Sequence, residues 1–365
     1  MLKDVKSDRI LKTIFEKIKN RRKLKIIKHN KNILDRLNIS KDDFKAYETL
    51  KQFNNKFNSK IGDVDINSLY IVYKDIKSED LEYLIIFKEL RVLNLSYNKI
   101  SNIDFLEKLH LSQLNILNLS YNEISDINIL EKLNMKELKE LDLKQNLITD
   151  INVLEKVDFP KLNVLNISVN KIEDINVLKK AKFDELKVLD ISYTKIPNIN
   201  ILEELNFKRL NKLFLMGLKL SDINILEKLN CEDLQELYLG KNNISDISVL
   251  EKVNFKKLTK LNLLENKISD LSVFEKVKFN GLKELYLSVN KISNINPLLN
   301  ANFKELTTLD LSFNEISDIS LFEKVKFNEL KFLELSYNKI NQKENDSIIV
   351  NLKSMISKFY ILEKS

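Results

Sequence analysis

Hydrolytic, metal-dependent and redox chemistry draw on imidazoles, thiols and converging carboxylates, and this chain of 365 residues holds only two histidines and one cysteine. His29 lies in a basic N-terminal stretch and His110 on an expected outer turn, so the two are not expected to meet. Cys231 occupies a slot that elsewhere holds phenylalanine or another apolar residue, which marks it as a buried structural thiol with no disulfide framework behind it. No glycine-rich phosphate loop or nucleophile elbow occurs. The remaining candidates are Asp126, Asp150, Asp222, Asp246, Asp270 and Asp318, which recur in step along the chain. Evenly spaced single carboxylates do not enclose a cation in the six to eight oxygens that calcium takes, so capping or solvating a turn is the expected role. No catalytic residue, metal ligand or cofactor is therefore assigned, and an enzyme is the least supported reading.

Charge points elsewhere. The chain carries a net +7, yet residues 1–40 alone contain thirteen Lys or Arg against four Asp or Glu, so the remainder is close to neutral. A cluster such as Lys17, Lys19, Arg21, Arg22, Lys23, Lys25, Lys28 and Lys31 supplies non-specific affinity for polyanions or RNA. It lacks aromatic stacking platforms and any recognisable reading motif, which disfavours nucleic acid as the main partner. The first residues are charged, and no apolar run reaches the length of a signal-peptide core or a membrane span. A cytoplasmic protein with no membrane contact is expected.

The elements that position everything else follow from one repeated phrase. Leu93-Asn94-Leu95-Ser96-Tyr97-Asn98 returns as Leu117-Asn118-Leu119-Ser120-Tyr121-Asn122, and the asparagine recurs at 146, 170, 242, 266, 290, 314 and 338, a period of 24 residues. Thr194 and Leu218 fill that slot in the two copies that break the pattern. Each Leu-x-Leu pair has the period-two alternation of a strand with one buried face. A single strand cannot bury that face, whereas strands stacked about 4.8 Å apart in a parallel sheet can. Ile100, Ile124, Ile172, Ile244 and Ile292, then Ile103, Ile127, Ile175, Ile247 and Ile295, complete the inward positions. Asn128 with Glu131 and Asn152 with Glu155 have capping-box spacing, which predicts a short helical turn on the outer side. Phe159, Phe183, Phe207, Phe255, Phe279, Phe303 and Phe327 keep the same period and read as core.

The phrase L-x-x-L-x-L-x-x-N-x-I-x-x-I-x-x-L resembles the leucine-rich-repeat family over about two-thirds of the chain, with similarity to internalin and phosphatase-regulatory repeats. The resemblance implies an α/β curved solenoid with a parallel concave β-sheet, short helical turns on the convex side, a helical N-terminal cap and a ladder of stacked asparagines. It also implies protein recognition, with control of a phosphatase as one form.

Three parts are expected: a helical N-terminal segment over 1–60, the solenoid over 61–340 and a C-terminal capping helix over 341–365. Ile10, Leu11, Ile14, Phe15 and Ile18 share a helical face, Leu24, Ile27, Leu34 and Leu37 suggest a second helix, and Ser40 with Asp43 caps a third carrying Phe44, Tyr47 and Leu50. The order Ile10-Leu11-Lys12-Thr13-Ile14-Phe15-Glu16-Lys17-Ile18, followed by Leu24-Lys25-Ile26-Ile27, resembles an F-box. That resemblance implies contact with a Skp-type adaptor through Ile14 and Phe15, and a role as substrate receptor of a ubiquitin ligase. The alternative is a cap over the first coil. Ile66, Leu69, Ile71 and Ile76 keep partial phase as a degenerate first coil, with Lys74 in the asparagine slot. At the other end Ile348, Ile349, Leu352, Met355, Ile356, Tyr360 and Ile361 suit an amphipathic closing helix.

Outward strand residues interleave with the leucines, and Asn94, Asn118, Asp142, Asn166, Asp190, Phe214, Tyr238, Asn262, Tyr286, Asp310 and Glu334 form one stripe. It turns aromatic in the middle, where Met216 and Leu264 also replace the usual serine and Lys212, Glu236, Lys260 and Glu284 line the flank. An apolar patch rimmed by charge at solvent-facing positions has the composition of an interaction hot spot. The sequence therefore reads as a non-enzymatic recognition scaffold binding a protein through Phe214, Met216, Tyr238, Leu264 and Tyr286 with that charged flank.

Overall fold

The computed structural model describes residues 36–37, 41–205, 208–324, 327 and 329–362. Thirteen three-residue strands form one parallel sheet in unbroken sequence order, from β1 (Ser68–Tyr70) and β2 (Val92–Asn94) through β12 (Phe332–Glu334) to β13 (Lys358–Tyr360). Pairing is in strict repeat register: Leu93 faces Leu117, Leu117 faces Leu141, and Leu213 faces Leu237. The central residue of each strand from β2 to β12 points inward and is essentially inaccessible, so one core runs the length of the molecule. The sequence-expected first coil is present, with β1 paired to β2.

What holds each corner is the asparagine. Asn122 donates through Nδ2 to the Leu95 and Leu119 carbonyls, each at 3.0 Å, and its Oδ1 accepts the Ile100 amide at 3.1 Å. One buried carboxamide thus satisfies backbone groups of its own coil and the preceding one. The residue just before it takes a left-handed conformation, as at Tyr97 (φ 57°) and Tyr121 (φ 55°), which sets the sharp turn out of the strand. Thr194 keeps only a 2.7 Å bond to the Ile191 carbonyl, and Leu218 offers no polar group. At this gap Asn242 compensates, accepting both the Leu218 and Leu220 amides.

Short 3-10 turns cover the other side, as at Asn128–Lys132 and Ser248–Glu251. The capping box expected at Asn128 does not form, because the turn is capped from two residues earlier. Asp126 accepts the Asn128 amide at 2.8 Å, and Asp150, Asp222, Asp246, Asp270 and Asp318 do the same for their turns. The recurrent aspartates are thereby structural, as their spacing indicated. Charged residues of successive turns pair across coils: Lys156 with Glu131, Lys180 with Glu155, Lys252 with Glu227. Phe159, Phe183, Phe255, Phe279 and Phe303 are buried, Phe327 is half-buried, and Phe207 lies outside the described residues. Cys231 is buried in the same column, and burial pushes its thiol up to about 11.

At the N-terminal end α1 (Lys41–Lys56) and the Phe57 that follows it lay Leu50, Phe53 and Phe57 on the first coil, with Phe53 edge-on to Phe87 at 5.2 Å. At the other end α2 (Leu321–Lys324) precedes α3 (Asp346–Met355), which buries Ile348, Ile349 and Leu352. The expected closing helix is shorter than its apolar pattern suggested. Tyr360 belongs to β13, because residues 358–360 find open ladder positions beside β12, where Phe359 faces Leu333.

Candidate protein-recognition face

All nine residues that the sequence singled out on the concave side lie together on the sheet. Lys212 and Phe214 come from β7 (Lys212–Phe214), Glu236 and Tyr238 from β8 (Glu236–Tyr238), Lys260 from β9 (Lys260–Asn262), and Glu284 and Tyr286 from β10 (Glu284–Tyr286). Met216 and Leu264 follow β7 and β9 at the serine position. The five apolar and aromatic members are half-buried. Phe214 and Tyr238 stack with centroids 4.2 Å apart and planes 11° from parallel. Asn262, buried between Tyr238 and Tyr286, keeps those two rings apart, and Lys260 bridges the gap with its ammonium 5.5 Å from one ring and 5.1 Å from the other.

The flank is a closed circuit of charge. Lys212 pairs with Glu236 at 2.8 Å and Lys260 with Glu284 at 2.7 Å, while the Tyr238 and Tyr286 hydroxyls donate to Glu236 and Glu284 at 2.8 Å. Burial pushes both glutamates up, but the lysine and tyrosine hydrogen bonds outweigh it and hold each carboxyl below its usual range. Burial and hydrogen bonding to a carboxylate raise both phenols. These hydrogen bonds, with the Lys260 contacts, fix the orientation of both tyrosine rings.

The polar stripe has a different electrostatic state further toward the N-terminus. In β4 (Glu140–Asp142) the Asp142 carboxyl is pushed up to about 6 by burial, with Glu140 adding repulsion and the Lys144 amide and charge opposing. Sequence reasoning missed a second aromatic feature at the sheet's rim. Tyr73, Tyr97 and Tyr121 stack in succession at 4.3 and 4.0 Å, with Lys144 over the last ring at 5.6 Å, and Phe313 stacks on Tyr337 at 4.2 Å. The signal was the aromatic residue before the ladder asparagine, whose left-handed backbone turns the side chain onto the rim. Ile14, Phe15, His29 and the basic cluster from Lys17 to Lys31 lie outside the described residues, and His110 is exposed. Among the described residues no group of three or more His, Cys, Asp or Glu is placed to hold a metal.

A family model for "Leucine Rich repeats (2 copies)" matches residues 88–132, 136–180, 232–276 and 280–324. The chain is a leucine-rich-repeat protein. The stretch between the two matched pairs contains the ladder gap at Thr194 and Leu218. Among solved structures, an internalin of Listeria monocytogenes is 25% identical with a TM-score of 0.65, over 87% of this chain and 89% of that one. A leucine-rich-repeat protein of Leptospira interrogans is 20% identical with a TM-score of 0.57, over 77% and 80%. A plant peptide hormone receptor solved in complex with RGF2 is 24% identical with a TM-score of 0.51, over 70% of this chain and 41% of the receptor. No curated protein matches significantly. Leucine-rich-repeat proteins generally mediate protein–protein recognition, and the fold is typically a binding scaffold without catalytic activity. Among the described residues no helix is long and apolar enough to cross a membrane.

Proposed function

We propose that this leucine-rich-repeat protein is a recognition scaffold that binds a protein partner on its concave sheet, centred on Phe214, Met216, Tyr238, Leu264 and Tyr286 and oriented by Lys212, Glu236, Lys260 and Glu284. The observation that carries this reading is the stacked Phe214–Tyr238 pair at outward strand positions, where most other coils place Asn or Asp. Outward aromatic surface rimmed by charge is the usual make-up of binding hot spots. The narrower role, substrate receptor of a ubiquitin ligase in the cytoplasm, rests on the F-box-like order around Ile14 and Phe15 and predicts that a Skp-type adaptor copurifies with the chain. Loss of that adaptor on changing Ile14 and Phe15 to alanine supports it, and an adaptor-free purification removes it.

The concave reading is tested by partner capture followed by substitution. Tyr238→Ala and Tyr286→Ala each release the captured protein, by about 2 kcal/mol or more of binding energy, while leaving the melting transition close to that of the parent. Leu237→Ala, one residue from Tyr238 but inward and fully buried, instead destabilises the fold by about 3 kcal/mol. Equal destabilisation by all three makes the patch a part of the core and ends the proposal.

A further inference from the structure

The stripe that holds the aromatic patch is bracketed by carboxylates whose charge the fold does not need. Along adjacent strands the register runs Asp190, Phe214, Tyr238, Asn262, Tyr286, Asp310, with the last residue in β11 (Thr308–Asp310). At this stripe position one structural task recurs: a side-chain oxygen accepts the amide two residues on. Asn94 does it for Ser96 at 3.0 Å, Asn118 for Ser120 at 3.0 Å and Asn166 for Ser168 at 3.1 Å. Asp190 and Asp310 do the same for Ser192 and Ser312, at 2.9 and 3.0 Å. A neutral amide therefore meets the backbone's need, and the carboxylate adds only a charge on a partly desolvated surface. Neither aspartate has a cation within ion-pair distance among the described residues, whereas Glu236 and Glu284 between them are each closed by a lysine. A residue that breaks the local pattern without a structural gain marks a site spent on something else.

Resting on the concave-face reading above, we infer that the partner docks as an extended polypeptide segment lying across the strands from β6 (Val188–Asp190) to β11, with apolar or aromatic side chains at its centre and an Arg or Lys toward each end. Charge complementarity fixes the ends: Asp190 meets one cation and Asp310 the other, with Glu334 behind Asp310 in register. The stacked Phe214–Tyr238 pair takes the apolar centre. Length follows from geometry. Six strands spaced about 4.8 Å apart span roughly 24 Å, which an extended chain covers in about seven residues at about 3.3 Å each.

The test selects a random twelve-residue peptide library, displayed on phage, against the full chain in low salt, and then measures the enriched peptides as synthetic probes. Enriched peptides are expected to carry basic residues on both sides of an apolar or aromatic pair. Asp190→Asn and Asp310→Asn preserve the acceptors for Ser192 and Ser312, so each should weaken those peptides by about tenfold, with a smaller loss at high salt. Tyr238→Ala should weaken them at every salt concentration. Peptides that depend on Tyr238 but lack basic residues and ignore both asparagine variants overturn the basic-flanked segment and leave concave binding standing. Enrichment indifferent to Tyr238→Ala, or no enrichment, overturns both.

Discussion

The two halves of the concave face share one backbone and differ in what they point outward. From β2 to β6 the first strand position carries Val92, Ile116, Glu140, Val164 and Val188, and the third carries Asn94, Asn118, Asp142, Asn166 and Asp190. From β7 to β10 the first position alternates Lys212, Glu236, Lys260 and Glu284, and three of the four third positions are aromatic. The first half is mainly aliphatic and carboxamide, with Glu140, Asp142 and Asp190 as its carboxylates, and the second is an ion-paired aromatic surface. The change falls where the asparagine ladder is interrupted at Thr194 and Leu218. Because each coil contacts only its neighbours, outward residues can change without disturbing the core, and the junction is where the ladder itself is altered.

The sharpest way to break that comparison is to remove the residue that spans the junction. Asn122, within the regular half, accepts one amide, from Ile100. Asn242 accepts two, from Leu218 and Leu220, and also donates to the Leu215 and Leu239 carbonyls at 2.9 and 2.8 Å. Each buried group left unpaired costs about 1–3 kcal/mol. Asn242→Leu is therefore expected to destabilise the chain by about 4 kcal/mol, and by more than Asn122→Leu, in denaturant unfolding. Equal losses would mean that the junction is held no differently from the rest of the ladder.

A second, smaller effect separates the halves by pH. The Asp142 carboxyl sits at about 6 in the folded chain, above the ~3.9 of an unfolded aspartate. The native state thus binds the proton more readily, so this group's contribution is intact below about pH 4 and is lost as pH rises through about 6. Asp142→Asn keeps an acceptor for the Lys144 amide and cannot ionise. It should stabilise the chain by about 2 kcal/mol at pH 7 and by almost nothing at pH 3.5. A gain that is the same at both values would assign the effect to packing instead of charge.

Most of the scaffold was legible because its causes are local and repeated. The Leu-x-Leu alternation dictates the inward face, and the 24-residue recurrence of asparagine places the ladder. The aromatic patch was legible for the same reason, since phase alone says which strand residues face outward. What escaped depends on geometry that phase does not encode. The capping box read at Asn128 was misplaced, because the turn is 3-10, begins at Asn128 itself and is capped by Asp126 two residues earlier. The Tyr73–Tyr97–Tyr121 stack depends on a left-handed backbone that other residue types also adopt here, such as Gln145 and Val169. β13 was hidden because its residues pair with β12 at a spacing of 26 instead of 24.

The smallest expected effect repairs the interruption instead of enlarging it. In a regular coil the ladder asparagine accepts the amide 22 residues earlier and donates to the carbonyl 27 residues earlier, as Asn170 does for Ile148 and Leu143. Thr194 reaches only the Ile191 carbonyl of its own coil, so the Ile172 amide and the Ile167 carbonyl lose the partners that a carboxamide would supply. The preceding residue, Tyr193, already has the left-handed conformation of the regular turn (φ 54°), so the backbone is arranged to receive an asparagine. Thr194→Asn should therefore stabilise the fold by about 1 kcal/mol, the net value of the hydrogen bonds gained after the side chain is ordered. Hydrogen exchange at the Ile172 amide reads the repair directly, since protection should rise there and stay level at the Ile124 amide, which Asn146 already holds at 3.0 Å. If Thr194→Asn leaves stability and exchange unchanged, the two halves are joined by something other than the missing ladder bonds, and the interruption is not what sets them apart.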